Sequence, residues 1–251
     1  MEPEQYEVMF RREERHWWYS GMRRVAMALL RRYRPPGQQA LILDAGCGTG
    51  GTSVHLREFG DVFGVDLAWA ALNPAASRGL RGRLIQASIE ALPFRSATFD
   101  VVTSFDVAYH QDVIDDAAAF REFHRVLMNG GLLLLRVPAH DWLRGKHDQL
   151  VHTRHRYARA EVQAKLEAAD FRVEQLSWGN SLLFPAAVAK RLVEHASRKS
   201  PANAELEPDL WQPPDAINGI LEELVGFEAH LTPRRVALPF GLSILAVARA
   251  I

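Results

Sequence analysis

The residues of this chain best suited to chemistry fall in Leu41-Ile42-Leu43-Asp44-Ala45-Gly46-Cys47-Gly48-Thr49-Gly50-Gly51, an apolar run that ends in an acid and breaks into glycines. Such a run reads as a buried parallel strand feeding a nucleotide-binding turn, because glycines reach backbone angles closed to other residues and let a ligand lie against the main chain. Thr52 to Phe59 then has helix-forming composition, with Gly60 as its stop. Gly46-x-Gly48-x-x-Gly51 also satisfies the dinucleotide fingerprint, in which a helix N-terminus holds a pyrophosphate. Asp44 decides between the two ligand classes. A carboxylate two residues before the first glycine repels a diphosphate and suits a ligand whose nearest group is an ammonium. A second acid, Asp66, closes the strand-like run Asp61 to Val65, about twenty residues after the turn, where a carboxylate can accept both hydrogen bonds of a ribose diol.

With these residues in place, the string LDAGCGTG closely resembles motif I of the class I S-adenosylmethionine-dependent methyltransferases, of the type-11 sort. Gln86 to Phe94 is similar to that family's ADAEALPF segment, Phe99-Asp100-Val101 to its FD-V motif, and LMNGGLLLLRVP to its L-PGG-L-L--P pattern, with Asn129 where a proline is usual. The resemblance is strong over Ala40 to Val137, fair over the flanks and weak in the region before the last strand. It implies an α/β fold: a doubly wound, seven-stranded, mostly parallel sheet of Rossmann-like type whose last strand is antiparallel. It implies S-adenosyl-L-methionine as cofactor and S-adenosyl-L-homocysteine as product, held by Asp44, Gly46, Cys47, Gly48, Asp66, Leu67, Ser88, Ile89 and Phe105. Ser88 departs from the family, which usually has an aspartate there for the adenine amino group, so that contact passes to the hydroxyl, a backbone carbonyl or water.

The elements that must position these groups follow from periodicity. Two helices with an aromatic joint at His16-Trp17-Trp18-Tyr19 precede the first strand, and a Pro35-Pro36-Gly37 stop ends them. The family has a similar HWW segment that closes over cofactor and substrate, which makes Trp17, Trp18 and Tyr19 candidate substrate contacts. Ligands of doubly wound sheets lie outside the carboxyl ends of the strands. Phe105, Tyr109 and His110, at the end of the fourth strand, are therefore expected to face the transferred methyl group. Asp112 to Met128 is an expected amphipathic helix capped by Asn129-Gly130-Gly131, and Leu132 to Val137 a fifth strand. A sixth strand is expected over Phe171 to Trp178 and a seventh over Leu242 to Val247. The sixty or so residues between them exceed any hairpin loop. The chain thus divides into an N-terminal helical lid (1–37), a core (38–178), a helical insertion (179–236) and a final strand (237–251), all one methyltransferase domain. Leu182 to Ala196 and Ala216 to Leu231 read as amphipathic helices joined by a polar, mobile Ser197 to Pro214 stretch.

Histidines cluster after the fifth strand. His140, Trp142, His147, His152 and His155 fall at the mouth of the crevice, with Asp141 and Asp148 among them. His147, His152 and His155 with Asp141 or Asp148 could hold a divalent ion, but no pair has the spacing of a zinc motif, and no metal is expected. His152 and Tyr157 are expected to anchor the loop, with Trp142 and His152 near substrate. An oxygen acceptor needs a base whose pKa lies near the working pH, which makes His110 the first candidate and His140 and His147 the next.

Composition bounds the rest. Thirty Lys plus Arg against thirty Asp plus Glu give zero formal charge, so nothing global favours nucleic acid or an anionic membrane. The single Cys47 excludes an internal disulfide and fits a reducing compartment. No apolar run is long enough for a membrane span or a signal peptide, so a cytoplasmic protein is expected, monomeric or homodimeric. The expected activity is methyl transfer to a small molecule, through an oxygen nucleophile. An RNA or protein methyltransferase and a non-catalytic cofactor-binding module are the other readings.

Overall fold

In the computed structural model seven strands form one sheet in the order β3-β2-β1-β4-β5-β7-β6. Residues 3–34, 37, 39–196, 213–236 and 238–251 are described. The strands are β1 (Ala40–Ala45), β2 (Gly60–Asp66), β3 (Leu84–Gln86), β4 (Phe99–Phe105), β5 (Leu127–Pro138), β6 (Phe171–Gly179) and β7 (Ser243–Ala250). Among the paired strands, β7 alone runs antiparallel to its neighbours β5 and β6, as the resemblance implies. The helices are α1 (Pro3–Arg12), α2 (Trp17–Tyr33), α3 (Gly51–Leu56), α4 (Trp69–Ala75), α5 (Asp116–Val126), α6 (Lys146–Leu150), α7 (Arg159–Glu167), α8 (Phe184–Ala196) and α9 (Asp215–Leu231).

Both faces of the sheet are covered, which is why its strands are continuously apolar. Leu43, Val102, Leu133, Leu135 and Ala246 point to one side, against Phe120 and Phe123 of α5 and Leu166 of α7. Their neighbours Ile42, Val101, Leu132, Leu134 and Val247 point to the other, against α2 and Val225 of α9. α2 buries Met22, Val25, Ala26, Leu29 and Leu30, the stripe that a 3.6-residue period puts on one face. His16 caps it: the ring Nδ1 accepts from the Trp18 backbone N–H at 3.3 Å. α9 packs on α2 closely enough that a Cβ on Gly21 would lie 2.7 Å from Val225 Cβ. Glu223 pairs with Arg24 at 2.7 Å, and Asn218 Oδ1 accepts from the Trp17 N–H at 3.0 Å. The insertion therefore completes one face of the core.

The boundaries differ from sequence expectation in one instructive place. Asn129-Gly130-Gly131 is not a helix cap: α5 stops at Val126, and Leu127 to Gly131 already belong to β5. Leu127 pairs with Phe99, and the register then shifts to Val101 opposite Leu132, so the glycines take up a bulge, with Gly130 at φ 75°. Gly60 opens β2 instead of merely ending a helix, because a Cβ there would collide with the Ala40 carbonyl of β1. Ser197 to Gln212 and Pro35-Pro36 lie outside the described residues. Among the described residues no helix is long and apolar enough to cross a membrane.

Candidate active site

A cavity of about 940 Å³ runs along the carboxyl edge of the sheet. The chain reverses its order of addition between β1 and β4, the position at which an open α/β sheet leaves a crevice. One half of the cavity lies over β1, β2 and β3. Gly46 and Gly48 take positive φ (84° and 53°), and a Cβ on Gly46 would collide with Val107, so the turn presents bare backbone. Asp66 stands at the end of β2, its two carboxylate oxygens accepting from the backbone N–H groups of Gly48 (2.8 Å) and Ala68 (2.9 Å). Each oxygen keeps a further lone pair for a ligand hydroxyl.

Asp44 is the floor of this half. It is 2 % exposed, and its carboxylate accepts from Ser53 Oγ at 2.5 Å and Thr103 Oγ1 at 2.9 Å. Burial pushes its carboxyl up to about 6, against the lowering effect of those two hydroxyls. Burial likewise raises Asp66 and the Cys47 thiol. A site that holds two carboxylates and raises both favours a cationic occupant, whose charge would return them to the ionised form.

α1 covers this half. Met9 lies over Gly48, and Glu13, just past the helix, accepts from Thr49 Oγ1 at 2.5 Å and pairs with Arg78 at 2.7 Å. The Arg78 guanidinium also sits 4.4 Å from the Phe10 ring centroid.

The other half lies over β4, β5 and β7. Trp17, Trp18, Tyr19, Phe105 and Tyr109 form its aromatic wall. Arg136, paired with Phe105 in the β4/β5 register, places its guanidinium 5.1 Å from the Trp18 ring and 5.3 Å from that of Phe105. Its Nε donates to Asp106 Oδ2 at 2.7 Å. Arg156 and Asp148 form a second buried pair at 2.7 Å on the same wall.

The nine residues assigned to the cofactor, Asp44, Gly46, Cys47, Gly48, Asp66, Leu67, Ser88, Ile89 and Phe105, all line the cavity, and so do Trp17, Trp18, Tyr19, Tyr109 and His110. Others do not. His140 packs outside it, stacked on Trp178 at 5.0 Å with its backbone at φ 62°, and Trp142 packs beside it, 55 % exposed. His152 also stands off the cavity, its ring 5.7 Å from that of His110. The side chain of His147 lies outside the described residues. Tyr157 does anchor the loop, donating to the Ala108 carbonyl and to Asp116 at 2.7 Å. Among the described residues no three potential metal ligands gather: Asp141 pairs with Arg144, Asp148 with Arg156, and His155 with Glu161.

His110 lines the cavity just past the end of β4. Its Nδ1 lies 3.2 Å from the Asp112 backbone nitrogen and 3.3 Å from Asp112 Oδ2. Burial lowers its pKa. Sequence reasoning missed Tyr6 and Glu13 near the cofactor half and Asp106, Arg136, Arg156 and Asn180 in the other. Arg136 carried a signal: a lone arginine in Leu132-Leu133-Leu134-Leu135-Arg136-Val137, a buried strand, requires a partner acid.

Residues 43–135 match the methyltransferase domain family model. Over these residues the chain is similar to S-adenosylmethionine-dependent methyltransferases. It is 39% identical over 122 residues to a malonyl-[acyl-carrier protein] O-methyltransferase of Enterobacter lignolyticus, covering 48% of this chain and 47% of that protein. It is 34% identical over 130 residues to a ubiquinone/menaquinone biosynthesis C-methyltransferase, UbiE, of Syntrophotalea carbinolica, covering 49% of this chain and 50% of that protein. These matches span about half the length of either relative. Among solved structures, a putative methyltransferase in complex with the Haloferax volcanii Trm112 activator superposes with TM-score 0.61 at 21% identity, over 99% of this chain and 93% of that one. That likeness bears on the fold. The family's cofactor is S-adenosylmethionine, and the side-chain-free glycine turn, the buried Asp44 and the accepting Asp66 fit it. When bound, it supplies an electrophilic methyl group on a positively charged sulfur.

Proposed function

We propose that this protein transfers a methyl group from S-adenosylmethionine to a small-molecule acceptor through an oxygen nucleophile. The observation that carries the reading is the second half of the cavity, walled by Trp17, Trp18, Tyr19, Phe105 and Tyr109 and continuous with the glycine turn. A pocket of this depth suits a compact apolar molecule with one polar end. The chain's own residues supply position and dryness: the aromatic wall excludes water, Asp44 and Asp66 fix the cofactor end, and the acceptor is held in line with it. Covalently, the acceptor heteroatom bonds the methyl carbon, the carbon–sulfur electron pair stays on sulfur, and the acceptor proton leaves to a base or water.

The names of the relatives include an O- and a C-methyltransferase, so the acceptor atom is the open part of this reading. The test is to incubate the protein with S-adenosylmethionine carrying a tritiated methyl group and separate metabolite, RNA and protein fractions of a cell extract. Label in the metabolite fraction, in a product from which alkaline hydrolysis or demethylation recovers an oxygen acceptor, is the expected result. Label confined to RNA or protein would overturn it, and binding of cofactor with no transfer to any fraction would favour the non-catalytic module.

A further inference from the structure

Asp106 follows the last residue of β4 with its backbone at φ 59°, a left-handed conformation that side-chain-bearing residues adopt only at a cost. The surrounding structure holds it there. Its N–H donates to the Arg136 carbonyl at 3.0 Å, and Val107, the next residue, packs over Gly46 of the glycine turn. The end of β4 is thus clamped between β5 and the turn, so Asp106 stands where the two halves of the cavity meet.

The pair that Asp106 makes with Arg136 is lopsided. Nε and Nη2 of the guanidinium both approach the same oxygen, Oδ2. Arg136 Nη1 and Asp106 Oδ1 have no hydrogen-bond partner among the described residues, and both side chains line the cavity while being only 8% and 17% exposed. The guanidinium also lies over the Trp18 and Phe105 rings, contacts that favour this position. What the cavity meets is a carboxylate oxygen held in place by the arginine pairing of its neighbour. Such an oxygen is costly when unpaired and selective for a group that brings a proton.

We propose that Asp106, held by Arg136, orients the acceptor by taking a hydrogen bond from its O–H or N–H, and thereby selects protic oxygen and nitrogen acceptors with an apolar body. This deepens the methyltransferase reading of the same site and rests on it. Arg136 is a positioning residue: it fixes which oxygen of Asp106 faces the cavity.

The test uses two probes with the same body, para-propylphenol and its methyl ether para-propylanisole, which keeps the oxygen but lacks the proton. Each is titrated into the full chain saturated with S-adenosylhomocysteine, following the fluorescence of the tryptophans in the wall. The wild type should bind the phenol about tenfold or more tighter than the ether. In Asp106→Asn the amide oxygen turns to Arg136 and an N–H faces the cavity, so the preference should fall within threefold or invert. Asparagine tolerates positive φ, so this variant keeps the backbone, and S-adenosylhomocysteine affinity within threefold of wild type certifies it. Arg136→Lys should lose part of the preference. Equal binding of the two probes by the wild type, binding of neither, or an undiminished preference in Asp106→Asn each overturns the proposal. Failure of the wild type to bind S-adenosylhomocysteine would instead overturn the reading beneath it.

Discussion

At the scale of single residues the site is dominated by buried acids. Asp44 has its carboxyl raised to about 6, chiefly by burial. The folded value lies above the unfolded one, so the stability this group contributes is full below about pH 4 and is lost as the pH rises through 6, by about 3 kcal/mol. Urea unfolding of the cofactor-free protein at pH 4.5 and pH 7 should therefore favour the acidic condition less in Asp44→Asn than in the wild type, and parallel pH dependence in the two would refute the burial argument. Cys47 is the chain's one cysteine, 7 % exposed on the cavity wall, and burial with Asp44 and Asp66 beside it pushes its thiol well up. Its alkylation by iodoacetamide at pH 7.5 should be much slower than that of a free thiol and slower again with S-adenosylhomocysteine bound. Rapid labelling unaffected by ligand would mean that Cys47 is not where the cavity places it.

Elements set who meets whom. α1 rests on the glycine turn through the buried Glu13, Thr49 and Arg78 cluster. Arg78→Ala leaves Glu13 buried without its cation, so α1 should open more often, and Cys47 alkylation should quicken severalfold at unchanged pH. Unchanged labelling would show that α1 is held by other contacts. α9 meets α2 at Gly21, where a Cβ would come within 2.7 Å of Val225. Gly21→Ala should cost about 1–3 kcal/mol in urea unfolding, and Val225→Ala in the same chain should restore part of it. This is also the scale at which the sequence stops being legible. Asp44, Gly46, Gly48 and Asp66 could be read because chemistry there sits on consecutive residues or at the end of the next strand. Asp106 and Arg136 could not be joined, because they meet only through the β4/β5 register, and Arg136 itself read as part of an apolar strand. His140 looked well placed in sequence, yet its left-handed backbone turns the ring outward onto Trp178.

Over the whole molecule, the seven-stranded, mostly parallel sheet and its antiparallel last strand were legible because motif I, the FD-V string and the GG string each mark a strand of an arrangement that the resemblance implies. The insertion was not, since amphipathic periodicity shows that α8 and α9 bury a face without showing which surface receives it. α9 completes the α2 side of the sheet, while α8 brings Ala187 to the cavity. On the proposed reading, the crevice along the carboxyl edge serves both cofactor and acceptor. Occupying it should stabilise the whole fold, by about 2.7 kcal/mol at a ligand concentration one hundred times Kd.

The measurement that tests this account most directly is calorimetric titration of the protein with S-adenosylmethionine, S-adenosylhomocysteine and NAD, repeated on Asp66→Ala. The account expects the first two to bind and NAD not to, with Asp66→Ala weakening both by roughly 1.5–3 kcal/mol through loss of a charged hydrogen-bond acceptor. Binding of NAD alone, or affinity unchanged in Asp66→Ala, would contradict it.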